Sequence, residues 1–209
     1  MISIKSVQVG TLQTNCYLLT DSATGSLAVV DPGEYTPQLE NVKPDYILLT
    51  HGHYDHIAGV DKLIAQSGAK LVIGKKDAPM LSSARLNLSS HFSAQPLAAL
   101  TPDITLCDGD KLMLGETEIT YIETPGHTAG SGCYIFDDCI ISGDTLFWCS
   151  IGRTDFETGS MTDMLRSLAK LRALDGDYRV FPGHGPATTL EYERRRNPYM
   201  RENGYEDIY

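Results

Sequence analysis

Between residues 51 and 56 the chain reads His51-Gly52-His53-Tyr54-Asp55-His56, directly after the apolar run Tyr46-Ile47-Leu48-Leu49. Three of the six histidines of the protein and one aspartate crowd into this stretch. A chance H-x-H-x-D-H in a chain of this composition is an event on the order of 4 in 10,000. Imidazoles and a carboxylate held this close repel or desolvate one another unless an ion compensates them, and they suit zinc and similar borderline ions. The flanks constrain the fold. The apolar run reads as a buried strand, and Ile57, Val60, Leu63 and Ile64 recur at helical spacing up to Gly68. A strand-to-helix turn lets alternate residues diverge, so His51 and His53 can serve one ion while Asp55 and His56 serve another.

Three further residues share this setting. His127 in Thr124-Pro125-Gly126-His127, Asp144 in Ser142-Gly143-Asp144 and His184 in Phe181-Pro182-Gly183-His184 each follow an apolar run and sit in a glycine-containing turn. Alone, each reads as a local backbone bonder. Together they stand where the ends of a sheet would present side chains to one pocket.

The remaining pattern supplies the scaffold. Ile2–Val9, Cys16–Thr20, Leu27–Val30 and Lys70–Ile73 read as strands in the first half. Lys111–Leu114, Glu118–Glu123, Gly132–Phe136, Cys139–Ser142 and Tyr178–Phe181 do so in the second. Thr36-Pro37 opens a short helix, and Asp137-Asp138 turns a hairpin. Ser160 caps a helix striped by Met161, Met164, Leu165, Leu168, Leu171 and Leu174, and Thr188 with Glu191 is expected to form a capping box for a last helix. Residues 77–101, rich in Ser, Ala and Pro, read as a loop with helical pieces and a candidate lid. Strands then helix, twice over, with no long linker, point to an α/β sandwich of two packed sheets with helices outside, one domain over 1–209.

Composition removes several function classes. A net charge of −10 argues against holding nucleic acid by phosphate neutralisation and against loose attachment to anionic membrane. No apolar run approaches the length of a membrane span, and Met1-Ile2-Ser3-Ile4-Lys5 alternates like a strand rather than a leader. The five cysteines are scattered without a CxxC pair, so neither a disulfide scaffold nor a thiolate zinc site is indicated, and a reducing, cytoplasmic setting is expected.

The order His51-x-His53-x-Asp55-His56, His127, Asp144, His184 resembles the seven-ligand pattern of the metallo-β-lactamase fold superfamily, from the Val30-Asp31-Pro32-Gly33 turn to Gly185. The resemblance implies an αββα sandwich with a dinuclear site between the sheets. His51, His53 and His127 would hold one metal, Asp55, His56 and His184 the other, and Asp144 would bridge them. Two divalent ions are implied, zinc first and iron or manganese also compatible. Asp31 would orient a ligand histidine from behind. Asp144 stands where the common zinc β-lactamases carry cysteine, which disfavours antibiotic hydrolysis.

Gly126-His127-Thr128-Ala129-Gly130-Ser131 and Ser150-Ile151-Gly152-Arg153-Thr154-Asp155 look most like short bacterial relatives of glyoxalase II, the hydroxyacylglutathione hydrolases. That resemblance implies hydrolysis of a small acyl thioester, S-lactoylglutathione by default, through metal-bridged hydroxide, with Asp55 and Asp144 catalytic. Arg153 falls where those enzymes place a lysine against the glutathione glycine carboxylate. Arg194-Arg195-Arg196 reads as a solvated helix face or a second anion anchor. The expected partner is a small-molecule thioester. A mononuclear-iron sulfur dioxygenase and another small-ester or lactone hydrolase are the alternatives on the same fold. His91 reads as a surface histidine, Cys149 as a buried inert thiol, and Phe147 and Trp148 as pocket wall or packing.

Overall fold

The computed structural model describes residues 1–93 and 97–201. The first sheet is built from β1 (Ile2–Val9), β2 (Thr14–Asp21), β3 (Leu27–Val30), β4 (Tyr46–Leu49), β5 (Lys70–Gly74) and β6 (Ile104–Leu106), side by side in chain order. β1, β2 and β3 are antiparallel neighbours, and β3 to β6 run parallel.

The central strands show why this sheet is buried on both faces. Ile47 and Leu49 of β4, and Leu71 and Ile73 of β5, point one way, while Leu48 and Val72 point the other. With side chains alternating between faces, a continuous apolar run is what a doubly covered strand requires.

The second sheet opens with β7 (Lys111–Leu114), β8 (Thr117–Glu123), β9 (Gly132–Phe136) and β10 (Cys139–Gly143). A two-stranded hairpin, β11 (Leu146–Phe147) and β12 (Ser150–Ile151), interrupts it before β13 (Arg179–Pro182) and β14 (Thr188–Thr189). The order is β14-β13-β10-β9-β8-β7, with β10 and β13 parallel.

Side chains from both sheets meet in one core: Tyr17, Leu19, Val30, Leu48 and Val72 against Tyr121, Tyr134, Phe136 and Ile141. The outer face of the first sheet packs on helices α1 (Tyr54–Ile57) and α2 (Val60–Ser67) through Ile57, Val60 and Leu63. Past the short α3 (Ser89–Phe92), the outer face of the second sheet packs on α4 (Met161–Arg172) and α5 (Leu190–Arg196) through Met164, Leu168, Leu171 and Leu190. The order of layers is helix, sheet, sheet, helix. Among the described residues no helix is long and apolar enough to cross a membrane.

Some sequence expectations need correction. The helix expected over 57–67 breaks at Ala58-Gly59, because the loop after β3 packs onto Gly59: its N–H donates to Pro32 O, and a β-carbon there would lie 2.7 Å from that oxygen. The last helix is capped by Thr189, whose hydroxyl accepts from Tyr192 N; Thr188 instead belongs to β14 and bonds Glu193. Residues 77–101 do carry helical pieces, a 3-10 turn over Ala78–Ser82 and α3. Leu81, Leu97 and Leu100 of this segment join the outer core of the first sheet, while Phe92 stands exposed at the mouth of a cleft. Residues 94–96 of that loop lie outside the described residues.

Candidate metal centre

β3, β4, β8, β10 and β13 all end at one edge of the sandwich, and the loops that follow carry Asp31, His51 to His56, His127, Asp144 and His184. Hydrogen bonds across the sheets close this edge. Tyr134 Oη donates to Leu49 O, Gly132 N to Thr50 O, and Tyr17 Oη to Pro182 O. The carbonyls before His51 and His184 are thereby tied to the opposite sheet.

The seven side chains expected as ligands converge. His51, His53 and His127 form one group of donor atoms, and Asp55, His56 and His184 a second. Asp144 lies between them, with Oδ1 3.5 Å from His56 Nε2 and Oδ2 3.4 Å from His127 Nε2 and 3.7 Å from His184 Nε2. His53 Nδ1 and His127 Nε2 are 2.8 Å apart, and His184 Nε2 lies 3.1 Å from Asp55 Oδ2. Asp55 and His184 are partly exposed, while the other five are buried.

The outward-facing ring nitrogens are already bonded, which fixes what the rings offer inward. His56 Nδ1–H donates to Asp31 Oδ2, His127 Nδ1–H to Arg153 O, and His184 Nδ1–H to Leu12 O. Thr50 Oγ1 gives its single proton to Asp31 Oδ2, so it accepts from His51 Nδ1–H. Each of these four histidines therefore turns an Nε2 lone pair to the centre, the tautomer that a metal-binding imidazole needs.

Three of the inward atoms, His51 Nε2, His56 Nε2 and Asp144 Oδ1, are buried with no hydrogen-bond partner among the described residues. An unmet buried polar atom costs about 1–3 kcal/mol, so this much convergent unmet capacity is a cost that cations would remove. The donor set, five imidazoles and two carboxylates, fits a binuclear centre of divalent ions.

Without ions, the neighbouring carboxylates decide which rings carry a proton in place of a metal. Burial drives the His51 pKa well down, and burial with the neighbouring His127 and His56 takes His53 down to about 2. Burial also opposes charge on His56, but Asp55, Asp144 and Asp31 outweigh it and push the ring up to about 10. Burial likewise opposes the Asp55 carboxylate, yet His56 and His184 hold its pKa below the ordinary range.

Asp31 sits behind the centre with a left-handed φ of 48°. One oxygen accepts from Thr50 N and the other from Thr50 Oγ1 and His56 Nδ1. Arg153 meets the centre through its carbonyl. Its side chain is exposed, makes a bidentate pair with Asp155 and lies 4.6 Å over the Phe156 ring, which in turn packs on His53 and His127.

Three supporting residues escaped sequence reasoning. Thr14 Oγ1 donates to Asp55 Oδ2. Asn15 Nδ2 donates to Pro182 O and Gly185 O, on either side of His184. Asp77, just past β5, accepts from Gly52 N, Thr128 Oγ1 and Gly130 N, while burial raises its pKa. The available signals were a buried-type asparagine within a strand and an aspartate following a strand end, the position that Asp31 holds after β3.

Other candidates lie elsewhere. His91 is exposed on α3. Arg194 is structural: its guanidinium reaches the carbonyls of Arg172, Leu174 and Gly176 past the end of α4, and Arg195 pairs with Glu191. Phe147 packs edge-on to His184 with centroids 6.1 Å apart, and Trp148 is exposed. Cys149 takes a left-handed φ, and its N–H is bonded by the buried Glu193. A cleft of about 350 Å³ opens beside Asp55, walled by Thr11, Leu12, Tyr35, Tyr54 and Phe92.

Comparison with known proteins agrees with this geometry. The family model described as the metallo-β-lactamase superfamily matches residues 9–184. An uncharacterized protein of Mycobacterium leprae is 37% identical, over 94% of this chain and 98% of its own length. A hydroxyacylglutathione hydrolase of Rhodospirillum rubrum is 36% identical over 85% of this chain, which spans 64% of that enzyme. Among solved structures, BLEG-1 B3 metallo-β-lactamase superposes with a TM-score of 0.87 at 34% identity, covering 95% of this chain and 99% of that one. TTHA1623 in a di-iron-bound form gives 0.81 at 32% identity, covering 93% and 99%.

Proposed function

Because the chain belongs to the metallo-β-lactamase superfamily, we propose that it is a metal-dependent hydrolase of a small acyl thioester, of the hydroxyacylglutathione hydrolase (glyoxalase II) type. The observation that carries the reading is the convergence of inward Nε2 lone pairs on Asp144, each ring held by a bonded Nδ1. His51, His53 and His127 would hold one ion, Asp55, His56 and His184 the other, with Asp144 shared. Zinc suits the set, and the di-iron form of a structural neighbour keeps iron in view.

Divalent ions bound there supply Lewis acidity, lowering the pKa of water toward neutrality and polarising a carbonyl oxygen. The residues of the chain supply position. Asp31, Thr50 and the carbonyls of Leu12 and Arg153 lock the imidazole planes, so little reorganisation is left for the reaction. The cleft beside Asp55 gives a thioester its approach, with the Tyr54 and Phe92 rings as an apolar wall. A thiol leaves readily as thiolate, its free pKa being about 8.5, so no side chain is needed as a strong general acid.

The similarity to a hydroxyacylglutathione hydrolase supports a glutathione thioester as substrate. In that reading Arg153, at the rim beyond Phe156, meets the carrier carboxylate. A second reading, hydrolysis of a β-lactam, is favoured by the similarity to a B3 metallo-β-lactamase over almost its whole length.

Metal analysis of the purified protein, alongside assays on S-lactoylglutathione, an acyl-coenzyme A, an N-acetylcysteamine thioester and a cephalosporin, tests both. Metal-dependent thioester hydrolysis that Asp144→Ala abolishes is the expected result. Metal-loaded, folded protein that leaves every thioester intact overturns the first reading, and cephalosporin turnover in that protein establishes the second.

A further inference from the structure

Asp31 touches both groups of donor atoms, His56 directly and His51 through Thr50, whereas a second buried carboxylate, Asp77, touches only one. Among the described residues, the hydrogen bonds that the Asp77 side chain accepts come from the loops carrying the three-histidine group. Oδ2 accepts from Gly52 N at 3.0 Å, midway between His51 and His53. The same oxygen accepts from Thr128 Oγ1 at 2.7 Å, next to His127, and Oδ1 accepts from Gly130 N at 2.8 Å in the same loop. Thr128 is in turn bonded to Ser131 through both its N–H and its hydroxyl.

The backbones approach so closely here that a β-carbon on Gly130 would lie 2.4 Å from Asp77 N, and one on Gly52 would lie 2.6 Å from Met80 Cβ. Two ligand-bearing loops, one from each sheet, are thus drawn onto one buried carboxylate.

The other group is gripped without it. Asp31 holds His56, Thr14 bonds Asp55, and Asn15 brackets His184. We propose that Asp77 is the positioning residue of the three-histidine site alone, so that the two metal sites of this protein can be weakened one at a time. This does not depend on which substrate the enzyme hydrolyses.

The chemistry calls for a carboxylate. Three donors converge on two acceptor oxygens, and an amide would face at least one of them with an N–H of its own. Asp77→Asn therefore loosens both loops while keeping the side-chain volume.

The test is cobalt(II) titration of chelator-treated protein, read by visible absorption and by competition with a metal indicator, with thermal melts of the metal-free forms. Wild type should take up two ions tightly. Asp77→Asn should keep one tight ion and lose about 10- to 100-fold in affinity for the other. Thr128→Val, which removes one of the three donors, should weaken the same ion by less.

Asn15→Ala should weaken the opposite ion, leaving the cobalt spectrum of the three-histidine site in place. Unchanged affinity for both ions in Asp77→Asn, or an equal loss of both, overturns the proposal. If the melts show Asp77→Asn unfolded, the same two outcomes in Thr128→Val overturn it.

Discussion

The Asp31 carboxylate accepts a hydrogen bond from His56 Nδ1 at 2.9 Å, with both side chains out of contact with water. The same carboxylate satisfies Thr50 N and Thr50 Oγ1, and through Thr50 it fixes the His51 ring. Asp31→Ala would strand three buried donors at once. Removing one partner of such a buried set costs about 3–5 kcal/mol. Urea denaturation of the metal-free variant should show that loss, and metal titration should show weakened binding at His56.

Gly52 is glycine because Met80 fills the space where a β-carbon would be. Gly52→Ala should destabilise the protein by about 1–3 kcal/mol, the usual cost of overpacking, and displace the flanking histidines. Met80→Gly in the same chain, which removes the Cβ that the new methyl would strike, should recover part of the loss. A denaturation double-mutant cycle measures the coupling, and simple additivity would refute the contact as its cause.

Asp155 neutralises Arg153 through a bidentate pair. Freed of it, the guanidinium remains stacked on Phe156 at the rim of the centre. Under the thioesterase reading, Asp155→Ala should lower KM for anionic S-lactoylglutathione and leave KM for a neutral N-acetylcysteamine thioester unchanged. Equal shifts for the two substrates would remove Arg153 from substrate binding.

Acid stability should depend on Asp21. The Glu116 N–H, opposed by burial but joined by Thr24, Thr117 and the N-terminal ammonium, holds its pKa well below the usual carboxylate range. A carboxylate depressed in the folded state contributes stability above its unfolded pKa of about 4, and that contribution is lost as pH falls below it. Asp21→Asn should therefore be less stable than wild type near neutrality. The gap should narrow in urea melts taken progressively below that pH.

Much of this was legible from residue types and spacing. The runs Leu27–Val30, Tyr46–Leu49 and Gly132–Phe136 coincide with β3, β4 and β9 because a strand covered on both faces leaves an unbroken apolar signature. The seven converging side chains were legible because histidine is rare in the chain, five of its six being among them, and because their order along the chain resembles a known family pattern. What stayed hidden was produced by tertiary contact. β11, β12 and β14 are two residues each, too short to show a period. The break at Gly59 reflects a loop distant in sequence, and the grip of Asp77 on Gly52 spans two loops that only the finished sandwich brings together.

The division of the donor atoms between the two sheets also sets when the centre can exist during synthesis. His51, His53, Asp55 and His56 leave the ribosome early, whereas His127, Asp144 and finally His184 follow. The first group is complete only once the second sheet has delivered His127, and the second only once β13 has docked beside β10 and brought His184. Metal uptake is consequently a late event that reports a finished fold, not a nucleus around which the chain collapses. A nascent chain stalled before residue 184 should leave the second ion unbound even with its first sheet assembled.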